Sequence, residues 1–255
     1  MNLSHTPADK GLYFGLFPAP RLERVAIDNA PEWLRGTKLL FVSDVHLRRF
    51  VSNERLEALI NQLIAAKADM LLLGGDYAES RRDCLRFFRA LRRASFPMGS
   101  FAVPGNNDIR NLDALREATA AAGVTLLINE SRRVHLPGGT LEIGGCDDHK
   151  YGAPRTAGLF SDDGAYRILL SHFPCAPDCE CELMLSGHTH AGQFNLFGFT
   201  PYSIGIEREF RLMAVRGLHR IGDMRLFVGN GIGVSEFPLR VGAEARITLV
   251  EFDRE

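Results

Sequence analysis

The stretch KLLFVSD, residues 38–44, decides the fold class of this chain. It is a short apolar run that ends in a polar pair, which is typical of a buried strand. MLLLGGD (70–76) and SFAVPG (100–105) repeat the pattern. Segments with the apolar spacing of helices follow these runs at 53–67, 81–93 and 111–123. Strand and helix therefore alternate three times, which predicts parallel strands with right-handed crossovers in an α/β fold.

Two helix boundaries and the organisation of the rest can also be predicted. Asn53 is a suitable N-cap for the first helix, and Gly123 is a suitable end for the third. The second half is rich in strands, with a hairpin over 132–145 and further strands at 165–171, 182–187, 224–230 and 245–252. Residues 1–20, rich in Gly and Pro, are predicted to be an irregular lead-in. No long linker interrupts residues 21–255, which we interpret as a single domain.

Composition narrows the class of protein. The net charge of the 255 residues is −1, so no global field favours nucleic acid or an anionic membrane. No apolar stretch approaches the roughly 18 residues of a membrane span, and the N-terminus lacks the pattern of a signal peptide. Five cysteines are an odd number, which argues against a disulfide framework. We therefore expect a cytoplasmic protein.

Five strand ends share one pattern, in which metal-binding residue types directly follow an apolar run. The stretches are FVSDVH, LLGGD, VPGNND, LLSHFP and MLSGHTH. They contain seven candidate ligands, Asp44, His46, Asp76, Asn106, His172, His188 and His190. The carboxyl ends of strands in α/β sheets converge on one crevice, so these side chains are expected to meet there. A single such residue is usually a turn residue or a satisfied polar group, but five stretches are hard to explain in that way.

The types of ligand indicate the types of metal. Two carboxylates, one amide oxygen and four imidazoles suit first-row metals such as Mn, Fe or Zn better than Mg or Ca alone. Seven ligands are too many for one tetrahedral ion. They fit two divalent ions about 3.5–4 Å apart that share a carboxylate and a solvent molecule.

The motifs D-x-H, G-G-D, G-N-x-D, S-H-F-P and G-H-T-H, in this order, resemble the calcineurin-like metallophosphoesterases. LSGHTHAGQ and GIGVSEFPLRVG are also similar to a bacterial membrane-associated phosphodiesterase branch that includes UDP-diacylglucosamine pyrophosphohydrolases. The resemblance implies a four-layer αββα sandwich of two mixed sheets. It also implies a first ion on Asp44, His46 and His190, a second on Asn106, His172 and His188, and a bridging Asp76.

The resemblance further implies the activity. A hydroxide that bridges the two ions would attack the phosphorus of a phosphodiester or pyrophosphate in line. The metals would lower the pKa of the bound water and neutralise charge on the phosphoryl group. The alternative is a protein of the same fold with a weak or silent site, used as a binding scaffold.

One position departs from the family pattern. Asn107 stands where most members have a histidine, and the acid Asp108 follows it. In the family that imidazole contacts the phosphoryl oxygens and protonates the leaving group, whereas an amide has no proton to give near neutral pH. The sequence therefore predicts a preference for leaving groups that need little protonation. His149, in the stretch DDHKYG, is the candidate for a replacement acid.

Basic and apolar residues near the motifs are candidates for substrate contacts. Arg48, Arg49 and Arg110 follow the motifs and could attract phosphate, or they could simply be solvated. Phe194, Leu196, Phe197 and Phe199 either pack under a sheet or form an exposed apolar lip for a lipid-like substrate or a membrane surface. We expect a small phosphorylated substrate, lipid-linked or a nucleotide-sugar, with peripheral membrane contact. Nothing indicates a nucleic-acid or protein partner.

Overall fold

The structure, a computed structural model, describes residues 11–14, 17–235 and 237–252. The strands are β1 (Leu12–Phe14), β2 (Arg21–Ile27), β3 (Lys38–Val42), β4 (Met70–Leu73), β5 (Ser100–Ala102), β6 (Thr125–Leu126), β7 (Glu130–Leu136), β8 (Gly139–Gly145), β9 (Tyr166–Leu170), β10 (Leu183–Ser186), β11 (Gly217–Ile221), β12 (Met224–Val228), β13 (Leu239–Val241) and β14 (Arg246–Phe252). The α-helices are α1 (Asn53–Ala65), α2 (Arg81–Leu91), α3 (Asn106–Ile109) and α4 (Leu112–Ala122). Short 3-10 helices lie at Glu32–Leu34, His190–Gly192, Pro201–Ile204 and Arg208–Phe210.

Two six-stranded sheets form the frame of the molecule. The first has the order β2-β14-β3-β4-β5-β6, in which β3 to β6 are parallel and β14 is antiparallel to β3. The second has the order β11-β12-β10-β9-β8-β7, with four parallel strands inside and one antiparallel strand at each edge. The predicted pair of mixed sheets is confirmed. Strands β1 and β13 form a separate antiparallel pair.

Alternation along the strands explains how the layers pack. On β3, Leu40 and Val42 pack with residues of α1, α2 and α4, while Leu39 and Phe41 pack with residues of the second sheet. Successive side chains of a strand point to opposite faces, so each strand of the first sheet contributes to both cores. The outcome is a layer of helices, then two stacked sheets.

Loops form the fourth layer in the part of the chain that the structure describes. Leu169, Met184 and Leu226, on the outer face of the second sheet, are buried with Cys146 and Ala214 from connecting segments. The segments between these strands are rich in Gly, Pro and Asp, which favour turns over α-helix. Short 3-10 helices are present there in place of long α-helices.

Helix ends agree with the sequence patterns, with one difference. Helix α1 buries Leu56, Leu59 and Leu63, and α4 ends at Gly123 in the left-handed conformation, as predicted. The cap of α1 is Ser52, whose hydroxyl accepts from the Arg55 N–H at 3.3 Å, and not Asn53. Ser and Asn are both good N-caps, so adjacent residues of these types leave the start uncertain by one position.

The lead-in is not wholly irregular. Within residues 1–20, Leu12–Phe14 form β1 against β13, while residues 1–10 lie outside the described residues. Three residues carry too short an apolar pattern to be recognised as a strand, and the pairing is with a segment more than 200 residues away. No helix of the described residues has the length and apolar character needed to cross a membrane.

Candidate metal centre

The seven predicted ligands meet at one edge of the sandwich. Loops after β3, β4 and β5 of the first sheet and after β9 and β10 of the second all supply side chains to this edge. A cavity of about 610 Å³ opens over them. Both sheets therefore contribute to the centre, as expected for residues at the carboxyl ends of parallel strands.

Asp44, His46 and His190 form the first group. One potential ligand atom from each lies within 4.8 Å of the others, and all three residues are buried. The Nε2 atoms of His46 and His190 are 3.1 Å apart, and Asp44 Oδ1 lies 3.6 Å from His190 Nε2. These are the residues that the family resemblance implies for the first ion.

Asp76 lies between the two halves of the centre. Its Oδ2 atom is 3.5 Å from His46 Nε2 and 3.6 Å from His172 Nε2. On the second side, Asn106 Oδ1 is 3.2 Å from His172 Nε2 and 3.1 Å from His188 Nδ1. A second compact group comprises Asp44, Asp76 and His172. Asp76 therefore lies between the histidines of the two groups.

Hydrogen bonds fix the outward nitrogen of each histidine. His172 Nδ1 donates to the Gly74 carbonyl at 2.7 Å. His46 Nδ1 donates to Glu79 at 2.6 Å, and His188 Nε2 donates to Glu207 at 2.5 Å. In neutral imidazole the other nitrogen then carries a lone pair, and in all three rings that nitrogen faces the centre. Lone pairs that converge with carboxylate oxygens fit divalent cations.

His190 is held differently, by the buried guanidinium of Arg240. Arg240 Nη2 lies 3.0 Å from His190 Nδ1, and Arg240 also donates to the carbonyls of Gly233, Asn230 and Ala243. Arginine can only donate, so Nδ1 of His190 accepts and the proton of the neutral ring lies on Nε2, which faces the centre. Metal binding at Nε2 would require that proton to be displaced or the contact with Arg240 to shift. Burial lowers the pKa of Arg240 to about 10.

The backbone at the centre is strained. Asp44, His46, Asp76, His188 and His190 all have positive φ, between 44° and 69°. Residues other than glycine rarely adopt this left-handed region, and such strain is concentrated at functional sites because the surrounding structure enforces it. Four of these residues, His46, Asp76, His188 and His190, line the cavity.

The charged groups of the centre shift one another's pKa values. Burial lowers the pKa of His172, but the adjacent Asp76 outweighs it and raises that pKa to about 10. Burial also opposes protonation of His46, yet Glu79 and Asp76 raise its pKa. Conversely, burial and the charges of His46 and Arg240 hold the pKa of His190 well below its usual value. The pKa of Asp76 is lowered by His172 and His46 against the effect of burial.

Two carboxylates of the centre were missed by the sequence reasoning. Glu79 follows Asp76 by three residues, a spacing that could have indicated it. Glu207 lies nearly twenty residues beyond His188, and its sequence context gives no signal. Burial would raise the pKa of Glu207, but hydrogen bonds from His188 and Lys150 lower it to about 2. Both acids act on the centre through an imidazole.

The two residues after Asn106 have separate roles. The Asn107 N–H donates to Asp76 Oδ1 at 2.9 Å and its side chain donates to Asp76 Oδ2 at 3.1 Å, while the residue lines the cavity. The buried Asp108 carboxylate accepts from the N–H groups of Asp76, Gly105 and Tyr77. Asp108 therefore ties the loops after β4 and β5 together and faces the backbone.

Of the other candidates, only Arg110 lines the cavity of the centre. Arg48 donates to the carbonyls of Val234 and Ser235, and Arg49 lies in a groove between α1 and α2. His149 packs against the Phe173 ring, with centroids 5.8 Å apart, and lines a different cavity. Substrate binding by these arginines and proton donation by His149 stay predictions. Lys150 lines the cavity together with Arg110.

The comparison with known families agrees with this geometry. The sequence model of the calcineurin-like phosphoesterases matches residues 37–192. The chain belongs to the calcineurin-like phosphoesterase family. The matched range contains all seven predicted ligands, so the family resemblance seen in the motifs is confirmed.

Relatives of this calcineurin-like phosphoesterase are found in bacteria. It is 29% identical to the uncharacterized metallophosphoesterase YkuE of Bacillus subtilis, with 86% of this chain and 80% of YkuE covered. It is also 29% identical to phosphodiesterase YaeI of Escherichia coli, with 84% of this chain and 81% of YaeI covered. Among solved structures, phosphopantetheinyl hydrolase of Mycobacterium tuberculosis aligns with a TM-score of 0.48 and 14% identity, over 80% of this chain and 95% of that one.

Proposed function

We propose that this phosphoesterase uses two divalent metal ions to hydrolyse a phosphodiester or pyrophosphate bond. The observation that carries the proposal is the convergence of seven candidate ligands with oxygen and nitrogen atoms from five loops, with Asp76 between the two sets of imidazoles. When bound, two such ions supply an activated water and neutralise charge on the phosphoryl group.

The residues of the chain have distinct tasks in this reaction. Asp44, His46 and His190 hold the first ion, and Asn106, His172 and His188 hold the second, with Asp76 between them. Arg110 and Lys150 at the cavity wall attract the phosphate oxygens. The Asn107 amide, hydrogen-bonded to Asp76, keeps that carboxylate in one orientation.

Two observations support a diester or pyrophosphate substrate. The relative YaeI is named a phosphodiesterase. Asn107, an amide that cannot protonate a leaving group, occupies the position of the usual histidine at the cavity, and the candidate donor His149 lines a different cavity. A leaving group that departs as a stable anion, such as a phosphate or an activated aryl oxide, needs no such donor.

Metal content and turnover test the proposal together. We expect the purified chain to bind two equivalents of Mn²⁺ and to hydrolyse bis(4-nitrophenyl) phosphate with that metal. Asp76→Asn removes the charge between the two ions, and we expect a loss of about 10³-fold in rate. Asp162→Asn, on an exposed loop, is the control and should retain the wild-type rate. Folded protein with neither metal nor turnover would support a silent scaffold instead.

A further inference from the structure

Sulfur-containing side chains are concentrated on the outer face of the second sheet. The chain has five cysteines and six methionines, and within the described ranges six of these residues lie in one cluster. Its members are Cys146, Cys179, Cys181, Met184, Met213 and Met224. Cysteine and methionine commonly fill gaps in cores as small or flexible apolar side chains. Direct contacts between sulfur atoms therefore decide whether the cluster is more than a core.

Three of the sulfur atoms form a row centred on Cys181. The Cys181 thiol donates to the thioether of Met224 at 3.4 Å. It also forms a hydrogen bond with the thiol of Cys179, two residues earlier in the chain. A thiol has one proton, so Cys181 cannot donate to both partners at the same time. Two thiols and a thioether therefore meet at one place, which we call the sulfur row.

The surroundings of the sulfur row favour the thiolate form of Cys179. The hydrogen bond with Cys181 lowers the pKa of Cys179 against the effect of burial, and Thr156 and Arg167 lower it further. The same hydrogen bond and burial raise the pKa of Cys181. The thiolate is the form of cysteine that binds metals. Cys179 is half-buried and Cys181 is buried, so an ion can reach the row from the side of Cys179.

The donors of the sulfur row suit a soft metal ion. Thiolate and thioether sulfur select Cu(I), whereas a structural zinc site has four thiolate, imidazole or carboxylate ligands. Among the described residues, every group of three or more His, Cys, Asp or Glu ligand atoms within 4.8 Å of one another lies at the metal centre. The row offers two thiols, and its third donor is a thioether. This set fits Cu(I) and lacks the further ligands of a zinc site.

The sulfur row and the metal centre lie at opposite ends of the second sheet. Cys181 comes just before β10, and Met224 is the first residue of the parallel strand β12. His188 and His190 follow the other end of β10. Oxygen and nitrogen ligands at one end and sulfur ligands at the other select different metals.

We propose that Cys179, Cys181 and Met224 bind one Cu(I) ion at a site separate from the metal centre. The ion bonds to the two cysteine sulfurs and to the Met224 thioether. Both thiol protons are released to solvent, and copper keeps its oxidation state. The bound ion joins the loop between β9 and β10 to strand β12. This inference does not depend on the proposed function.

Titration of the reduced full chain in the absence of oxygen tests the site. The probe is Cu(I) alone, with bathocuproine disulfonate as the competing chelator, in the presence and in the absence of Mn²⁺. In both conditions we expect one equivalent of Cu(I) per chain that resists the chelator. X-ray absorption should show only sulfur neighbours around this copper. Cys179→Ala and Cys181→Ala should each lose the equivalent. Met224→Leu keeps the apolar volume, so it should only release Cu(I) at a lower chelator concentration.

Matched controls separate the sulfur row from other sulfur atoms. Cys84 is a buried thiol of the core beneath the helices, and Met98 is a half-buried methionine packed against the core between the sheets. Cys84→Ala and Met98→Leu should bind Cu(I) like the wild type. Cu(I) should also raise the melting temperature of the wild type but not that of Cys179→Ala, because a ligand stabilises only a fold that binds it.

Three results would overturn the proposal. The first is a wild-type chain that gives up all its Cu(I) to the chelator. The second is full retention of Cu(I) by Cys179→Ala, whose half-buried side chain makes it the variant least disruptive to folding, so that this result stands even if Cys181→Ala does not fold. The third is displacement of Cu(I) by an equal concentration of Zn²⁺, which would make the row part of a zinc site.

Discussion

Glu79 and Glu207 are the residues whose effect is easiest to separate from the ligands themselves. Each accepts a short hydrogen bond from one metal-facing histidine, His46 or His188. Removing such a partner frees the imidazole to rotate and typically weakens metal binding by about 10–100-fold. We expect this loss in Glu79→Ala and in Glu207→Ala, measured by Mn²⁺ titration calorimetry.

The pattern of losses identifies which ion each acid serves. Glu79→Ala should weaken one binding event and Glu207→Ala the other, while Glu79→Gln and Glu207→Gln restore part of the affinity through the amide oxygen. Glu130→Ala, on strand β7 away from the centre, is the control. Equal effects of both variants on both binding events would show that the two carboxylates only stabilise the fold.

We predict that Asn107 sets the preference for leaving groups. It lines the cavity and donates to Asp76, and as an amide it cannot protonate a departing oxygen. We expect Asn107→His to accelerate hydrolysis of a diester with a poor alkyl leaving group much more than that of a 4-nitrophenyl diester. The ratio of the two rates is the measurement.

His149→Ala provides the comparison. Since His149 lies in a different cavity, against Phe173, we expect its removal to leave that ratio unchanged. A fall in the rate for the poor leaving group alone would restore His149 as the proton donor. If Asn107→His left this ratio unchanged, the missing imidazole at position 107 would not explain the preference for leaving groups.

At the residue scale, the types of side chain at strand ends were sufficient to predict which residues meet at the centre, but not the residues that hydrogen-bond to them. Asp44, His46 and His190 could be found because they follow apolar runs at short spacing. Glu207 and Arg240 could not, since they reach the centre from segments that are distant in sequence and have no local pattern. Arg240 in particular is a fully buried cation, a placement that its chemistry disfavours.

Among the elements, the loop after β12 approaches the centre closely. Gly231 has φ of +68°, and a Cβ there would lie 2.6 Å from the Cβ of Asp44. Gly231→Ala therefore adds a clash to the strain of a left-handed alanine, which is about 1–2 kcal/mol. We expect it to lower stability by more than that strain and to weaken binding of the first ion.

Gly222→Ala is a closely matched control for this loop. Gly222 has φ of +59°, and a Cβ at this position would have no neighbouring atom within 4 Å. We expect Gly222→Ala to show the backbone strain alone. Its midpoint of unfolding in urea should fall, while its Mn²⁺ affinity should stay normal. If the two variants bind Mn²⁺ equally well, the approach of this loop to Asp44 does not constrain the centre.

Long elements with repeated patterns were predictable, whereas three of the shortest strands were not. α1, α2 and α4, and the buried strands between them, follow from apolar spacing over many residues. β1, β6 and β13 have three residues or fewer, and their pairing is decided by tertiary contacts that no local pattern encodes.

For the whole molecule, pH should change how much the metals stabilise the fold. Without metal, the pKa of His172 is raised to about 10, above its unfolded value. The stability from its protonated pairing with Asp76 is thus fully present below pH 6.5 and is lost as the pH rises through 10. A metal must displace this proton and that of His46, so metal binding strengthens as the pH rises.

The melting temperature in Mn²⁺ and in EDTA gives the measurement. At about 100 times its Kd, a ligand stabilises a fold by about 2.7 kcal/mol. We expect the difference between the two melting temperatures to be small at pH 6 and to grow by several degrees towards pH 9. His219→Ala, on strand β11 outside the centre, should leave this trend intact. A difference independent of pH would show that these histidines do not compete with the metal for protons.

The position of strand β14 in the first sheet affects folding during translation. It lies between β2 and β3, although it is separated from both by most of the chain. During translation the sides of β2 and β3 that pair with β14 therefore stay unpaired until residue 252 has left the ribosome, and unpaired strand edges promote aggregation. Fragments that stop before residue 246, including the stretch 37–192 that carries every predicted ligand, should need a chaperone or accumulate as inclusion bodies.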